Sequence, residues 1–344
     1  MNRMVIAAGL LALGLLSGCK TLETLVEPKA MSDKDLAQVF SGGRDPAEFF
    51  IHRFRNETGE TVFTGYNRQP QSARAVLLFE SPAHSILPLV RARVPEGAEF
   101  LVLADTACRQ NWTSLELRET LGLVPVGPDR VGAIPAHVLD ETPGYLCILP
   151  QVEFDRLGVE AVLIYGRAGR KSFWPMPRHA DARAAQAVMG MDLLRSFAFV
   201  TWDYANRMME LSSTDTFEPS AERVLAELPI SFEPETGALM ISCVVDTREE
   251  SVIFDSAGNY DLAMVDPSLE PVRQLGLQDL VFRRVLAVTP QSVGLVAGET
   301  AYLGAALFRR YRVTLDNRRN VLWIEGTTDS GTPAEPHAKE PAGD

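Results

Sequence analysis

The sequence is short of the residues from which metal centres and covalent frameworks are made. Its 344 residues include only four cysteines and five histidines. His52, His84, His137, His179 and His337 are scattered along the chain, and neither they nor the cysteines fall at spacings that close a zinc site. No metal and no cofactor is therefore expected. Basic residues are also in deficit, with 33 Lys and Arg against 45 Asp and Glu and a formal net charge of −12. Such a balance argues against nucleic acid as a partner, and pairs such as Arg309-Arg310 and Arg318-Arg319 read as the solvated side of a helix and a hairpin turn. Long apolar runs are missing except at the amino terminus, so membrane contact is expected from that end alone. What is present, 46% hydrophobic residues, suffices for a substantial globular core.

The amino terminus carries an address. Arg3 gives a positive start, residues 4–16 form an apolar run too short to span a bilayer comfortably as a mature helix, and Leu16-Ser17-Gly18-Cys19 is the pattern of a bacterial lipoprotein signal. Residues 1–18 are then a signal peptide, and Cys19 is the lipidated first residue of the mature chain. Lys20 suits sorting to the outer membrane. The protein is expected in the bacterial cell envelope, lipid-anchored and facing the periplasm. Residues 19–60 read as a tether with one helix over residues 33–40, and residues 326–344 as a disordered tail. Three cysteines remain for the exported domain, Cys108, Cys147 and Cys243. In a compartment that permits disulfides, an odd number leaves at least one thiol free.

Between tether and tail the chain repeats itself. Phe100-Leu101-Val102-Leu103-Ala104 runs into Asp105-Thr106-Ala107, and Ser251-Val252-Ile253-Phe254 runs into Asp255-Ser256-Ala257. Each is preceded by a second strand-like stretch and a polar turn, which predicts two hairpins that each present an aspartate at a strand end. Downstream come Leu121-Gly122-Leu123 and Leu275-Gly276-Leu277, both read as closing a short amphipathic segment. Val188-Met189-Gly190 and Tyr302-Leu303-Gly304 follow, each before a helical turn and a last strand. One aspartate at a strand end would be an ordinary turn cap. Two in matching contexts are an internal duplication.

This ordered set resembles the retropepsin-like aspartic proteases, with two lobes fused in one chain in the manner of pepsin, over roughly residues 80–325. The resemblance implies an all-β, bilobed acid-protease fold of two similar barrel-like lobes related by a pseudo-twofold axis, spanning residues 61–215 and 222–325. It implies that Asp105 and Asp255 are the catalytic pair, that Thr106 and Ser256 bond across the lobes, and that Gly190 and Gly304 allow close packing beneath the loops. A hairpin between about residues 143 and 170 is expected as a flap. The departure from the family is Ala107 and Ala257, where glycine is usual. A methyl group beside the carboxylates leaves two readings: a monomeric aspartic endopeptidase acting on polypeptide, or a catalytically silent peptide-binding or scaffolding lipoprotein. Cys108 and Gly258 follow the two triplets, where acid-optimal relatives carry a hydroxyl that donates to an outer carboxylate oxygen. With neither hydroxyl present, the pair is expected to titrate upward and to favour mildly acidic to neutral pH.

Overall fold

The computed structural model of the chain describes, apart from isolated positions, residues 43–55, 61–131, 144–167, 184–265, 271–295 and 300–327. The expected signal peptide, Cys19, residues 132–143 and 168–183 and the expected tail beyond 327 lie outside them. Of the helix expected over residues 33–40, only Lys34 is described.

A two-stranded hairpin, β1 (His52–Arg55) and β2 (Thr61–Thr64), comes first. The first half then contributes β3 (Arg74–Leu78), β4 (Leu89–Arg93), β5 (Glu99–Ala104) and β6 (Trp112–Thr113). After helix Leu115–Thr120 follow β7 (Pro125–Val131), β8 (Gly144–Phe154), β9 (Leu157–Arg167), β10 (Ala187–Met189), β11 (Phe199–Asp203) and β12 (Met208–Ser212). The hairpin of β4 and β5 turns through Gly97, whose φ of +92° is left-handed and suits glycine. Strands β4, β5, β10, β6, β9 and β8 are neighbours in that order, and β8 returns to β4. The six strands therefore close a barrel, sealed where Arg93 and Glu153 pair both in register and through a 2.7 Å ion pair.

The second half repeats the plan, but no pairing among its described residues closes its strands into a ring. Its strands are β13 (Val224–Phe232), β14 (Leu239–Val245), β15 (Arg248–Asp255), β16 (Leu262–Ala263), β17 (Val272–Leu277) and β18 (Leu280–Val285), then β19 (Ala287–Val288), β20 (Ala301–Gly304), β21 (Tyr311–Asp316) and β22 (Val321–Gly326). Hairpin β14–β15 matches β4–β5, and β20 lies parallel to β15 as β10 lies parallel to β5. In each half a two-residue strand, β6 or β16, runs antiparallel to that parallel neighbour.

The halves meet in one sheet of order β13-β22-β21-β11-β12-β3, three strands from each. Where β11 and β21 pair antiparallel, Thr201 lies opposite Thr314 and their hydroxyls are 2.9 Å apart. These threonines are also matching positions of the repeat, so the pseudo-twofold axis passes between them. The chain is thus all-β and bilobed, and most of its buried apolar residues belong to one cluster that runs through both halves. Trp202 of β11 packs edge-on against Phe254 of β15 at 6.3 Å, and Phe254 against Phe308 at 5.5 Å.

Two expected elements differ. Leu121-Gly122-Leu123 does close a helix, capped at its start by Ser114 and ended by Gly122 at φ +59°. Leu275-Gly276-Leu277 instead lies in β17, where it pairs with β18 and β14, because a hairpin partner across Gln278 claims these residues as strand. The second is the hairpin expected as a flap. It forms as β8 and β9, but its tip at Asp155 and Arg156 joins the barrel beside Arg93, at the end of β4–β5 remote from Asp105. It is barrel wall, not a cover.

Candidate functional site

Asp105 follows β5 directly, and Asp255 is the last residue of β15. The Asp105 amide donates to the Met189 carbonyl of the parallel neighbour at 3.0 Å, and Asp255 pairs in register with Gly304. Beyond these points both chains turn out of the sheet in the same way. The Ala107 amide donates to Asp105 Oδ1 at 2.9 Å, and the Ala257 amide to Asp255 Oδ1 at 3.0 Å, so each carboxylate pins its own loop two residues on.

The loops then lock onto each other. The Thr106 amide donates to Ser256 Oγ and the Ser256 amide to Thr106 Oγ1, both at 3.0 Å. The two hydroxyls donate onward across the lobes, Ser256 Oγ to the Ala104 carbonyl at 3.0 Å and Thr106 Oγ1 to that of Phe254. Four reciprocal bonds thereby tie together the residues immediately after the two aspartates. Each is worth on the order of 1 kcal/mol net, but removing one hydroxyl strands buried donors and acceptors at about 1–3 kcal/mol. Asp105, Thr106, Asp255 and Ser256 are all fully enclosed, at 0% exposure, where an unbonded polar group would be costly.

Glycine is obligatory beneath both loops. A Cβ on Gly190 would lie 2.3 Å from the Gln110 carbonyl oxygen and 2.7 Å from those of Cys108 and Arg109, and one on Gly304 would lie 2.0 Å from that of Tyr260. These obstacles are backbone and have nowhere to go. The Gly190 amide donates to Asn111 Oδ1 at 2.9 Å, and the Gly304 amide to the Asp261 carbonyl at the same distance.

The two alanines point away from the reading in which they obstruct the carboxylates. Ala107, from the first lobe, packs in a cluster with Ala238, Ile253, Tyr260, Ala263 and Leu295, all of the second. Ala257 packs with Leu87, Leu89, Leu103, Trp112 and Val188, all of the first. Each methyl crosses the axis into the opposite lobe's core, and both alanines are buried. Cys108 belongs to that same first-lobe cluster, with its Sγ 3.3 Å from the Gln110 carbonyl.

Sequence reasoning missed the donor that serves Asp255. The Tyr260 hydroxyl donates to Asp255 Oδ2 at 2.7 Å, so the expectation that the second carboxylate lacks a side-chain donor, drawn from Gly258, is corrected. The ring of Tyr260 occupies the space that a side chain at 258 would fill: a Cβ there would meet Tyr260 Cε1 at 2.7 Å and Asp255 Cγ at 3.0 Å. The one signal in the sequence was the glycine itself, a side chain missing where something must fill the volume. Tyr204, delivered by the end of β11, was also missed; its hydroxyl donates to the Ser256 carbonyl at 3.1 Å. Burial first, and the charge of Asp255 second, hold its phenol well above the ordinary range.

Cys108, Cys147 and Cys243 are all buried, and none of them is in a disulfide. Burial pushes the Cys147 and Cys243 thiols up to about 12. Among the described residues no group of three or more His, Cys, Asp and Glu side chains could hold a metal ion, and no helix is long and apolar enough to cross a membrane.

No protein family model matches the chain, and no curated protein matches it. Among solved structures, the fold is similar to the crystal structure of an aspartic proteinase from Irpex lacteus, at 11% sequence identity and a TM-score of 0.44, with the match covering 74% of this chain and 98% of that one.

Proposed function

We propose that the protein is an aspartic endopeptidase that cleaves polypeptide in the bacterial periplasm with Asp105 and Asp255 as its acid–base pair. The observation that carries this reading is the reciprocal bonding of Thr106 and Ser256, which ties the loops of the two aspartates together across a pseudo-twofold axis. Two carboxylates so held share one proton: one acts as base toward a water, the other as acid toward the peptide carbonyl, and the roles exchange as the tetrahedral intermediate collapses. A single chain supplies both aspartates, so a monomer suffices. The silent reading rested on Ala107 and Ala257, and it loses its support where both methyls pack into the opposite lobes.

The test is detergent-solubilised full chain incubated with an unfolded polypeptide across a pH series. Cleavage is expected, and Asp105→Asn and Asp255→Asn should each abolish it. Cleavage that survives both substitutions, or none at any pH, overturns the reading. We further assign membrane attachment to lipid on Cys19. Cys19→Ala should shift the protein to the soluble fraction; retention on membranes after high-salt washing would refute that anchor.

A further inference from the structure

The two lobes are not equivalent around their aspartates. Three residues beyond the aspartate the first lobe carries Cys108 and the second Gly258; five residues beyond, the first carries Gln110 and the second Tyr260. Gln110 turns no hydroxyl toward this region, and its Oε1 is buried without a hydrogen-bond partner. Tyr260 is 6% exposed, and its hydroxyl lies 2.7 Å from Asp255 Oδ2. The tyrosine is wedged by two glycines. A Cβ on Gly258 would enter its ring at 2.7 Å, and one on Gly304 would come within 2.8 Å of its Cδ2 and 2.0 Å of its carbonyl oxygen. On its other side the ring packs in the cluster that receives the Ala107 methyl.

We infer that Tyr260 is a positioning residue for the acid–base pair, standing in for the side chain that position 258 lacks and fixing the orientation of the Asp255 carboxylate. The inference rests on the proposed peptidase reading for its catalytic consequence, but not for its geometry. With Ala257 N–H on Oδ1 and Tyr260 O–H on Oδ2, both oxygens of Asp255 accept hydrogen bonds. That arrangement fixes the rotation of the carboxylate plane. The exchange between positions 258 and 260 is steric as well as chemical: the ring fits only because 258 is glycine, and glycine is tolerable only because the hydroxyl arrives from 260.

Two arms test this on the full chain. In the kinetic arm, Tyr260→Phe keeps the ring and removes the hydroxyl. It is expected to lower kcat by about 10- to 100-fold, the range for a hydrogen bond to a charged group, with KM changed by less than about threefold. Gly258→Ser should be impaired because its Cβ meets the ring. Combining Gly258→Ser with Tyr260→Ala opens that space and puts a hydroxyl beside Asp255, and should recover activity over Tyr260→Ala alone. A kcat of Tyr260→Phe within about twofold of the parent, or a double variant no better than Tyr260→Ala, overturns the inference. The second arm does not need activity. A phenol donating to a carboxylate gives a near-ultraviolet tyrosine difference band as that carboxylate is protonated by acid. The band is expected in the parent and in Tyr204→Phe, and should be lost in Tyr260→Phe and Asp255→Asn. A band that persists in Tyr260→Phe overturns the inference. If the parent cleaves nothing, the peptidase reading falls and this band alone decides the role of Tyr260.

Discussion

At the scale of single residues, the alanines after the aspartates carry the sharpest consequence. Each methyl is buried in the core of the lobe it does not belong to, so its energetic role is adhesion between lobes. Removing one buried methyl forfeits about 0.8 kcal/mol of burial, and a glycine in its place adds about 0.5–1 kcal/mol of backbone entropy. Ala107→Gly and Ala257→Gly should therefore each destabilise the fold by about 1–2 kcal/mol, read as a lower midpoint in urea. On the proposed peptidase reading, activity should stay within a few-fold of the parent, because the methyls pack into the cores of the opposite lobes. A gain above about tenfold on restoring glycine would mean that the methyl does obstruct the site, and the packing argument would fail.

At the scale of elements, what could be read from sequence divides along a physical line. The hairpins ending in Asp105 and Asp255 were legible because alternation and a polar turn are local properties, and β4–β5 and β14–β15 form as those patterns imply. Gly190 and Gly304 were legible because both precede a last strand in the same order. The strand fate of Leu275-Gly276-Leu277 was not legible: the same three letters cap a helix in one half and pair with β18 in the other, and the choice is made by partners elsewhere in the chain. Hairpin β8–β9 was found as a hairpin, but its role was misassigned, since only the closure onto Arg93 shows which way its tip turns. Least legible were the contacts that cross the axis, the methyls of Ala107 and Ala257 and the hydroxyl of Tyr204, together with the hydroxyl of Tyr260, whose aim at Asp255 within its own lobe depends on the space left at Gly258. Direction across an interface is set by the docking of the lobes, and no local pattern encodes it.

At the scale of the whole molecule, the six-stranded sheet and the shared core make the halves one folding unit, so groups buried in either lobe report on the stability of both. Among them, and beside them in the partly buried Tyr165, are weak acids whose titration burial moves upward. Cys147 and Cys243 are pushed up to about 12 by burial, Tyr165 reaches about 12 through burial and then the charge of Asp192, and Tyr204 lies higher than an ordinary phenol. In the unfolded chain thiols ionise near about 8.5 and phenols near about 10. Above those values the unfolded state has released protons that the folded state still holds, so the folded state binds more protons and stability falls as pH rises. The stabilisation is complete below about pH 8 and drains away toward about pH 12. Between about pH 9 and 10 the two thiols alone should contribute a slope of up to about 2.7 kcal/mol per pH unit. The urea midpoint of the full chain should accordingly drop between pH 8 and pH 10, and the drop should be smaller in a variant carrying Cys147→Ala and Cys243→Ala, even though that variant starts from a lower midpoint because its core has been hollowed. A midpoint that holds level across this range would mean the thiols titrate freely in the folded protein, which the buried positions of Cys147 and Cys243 in a core continuous between the lobes do not allow.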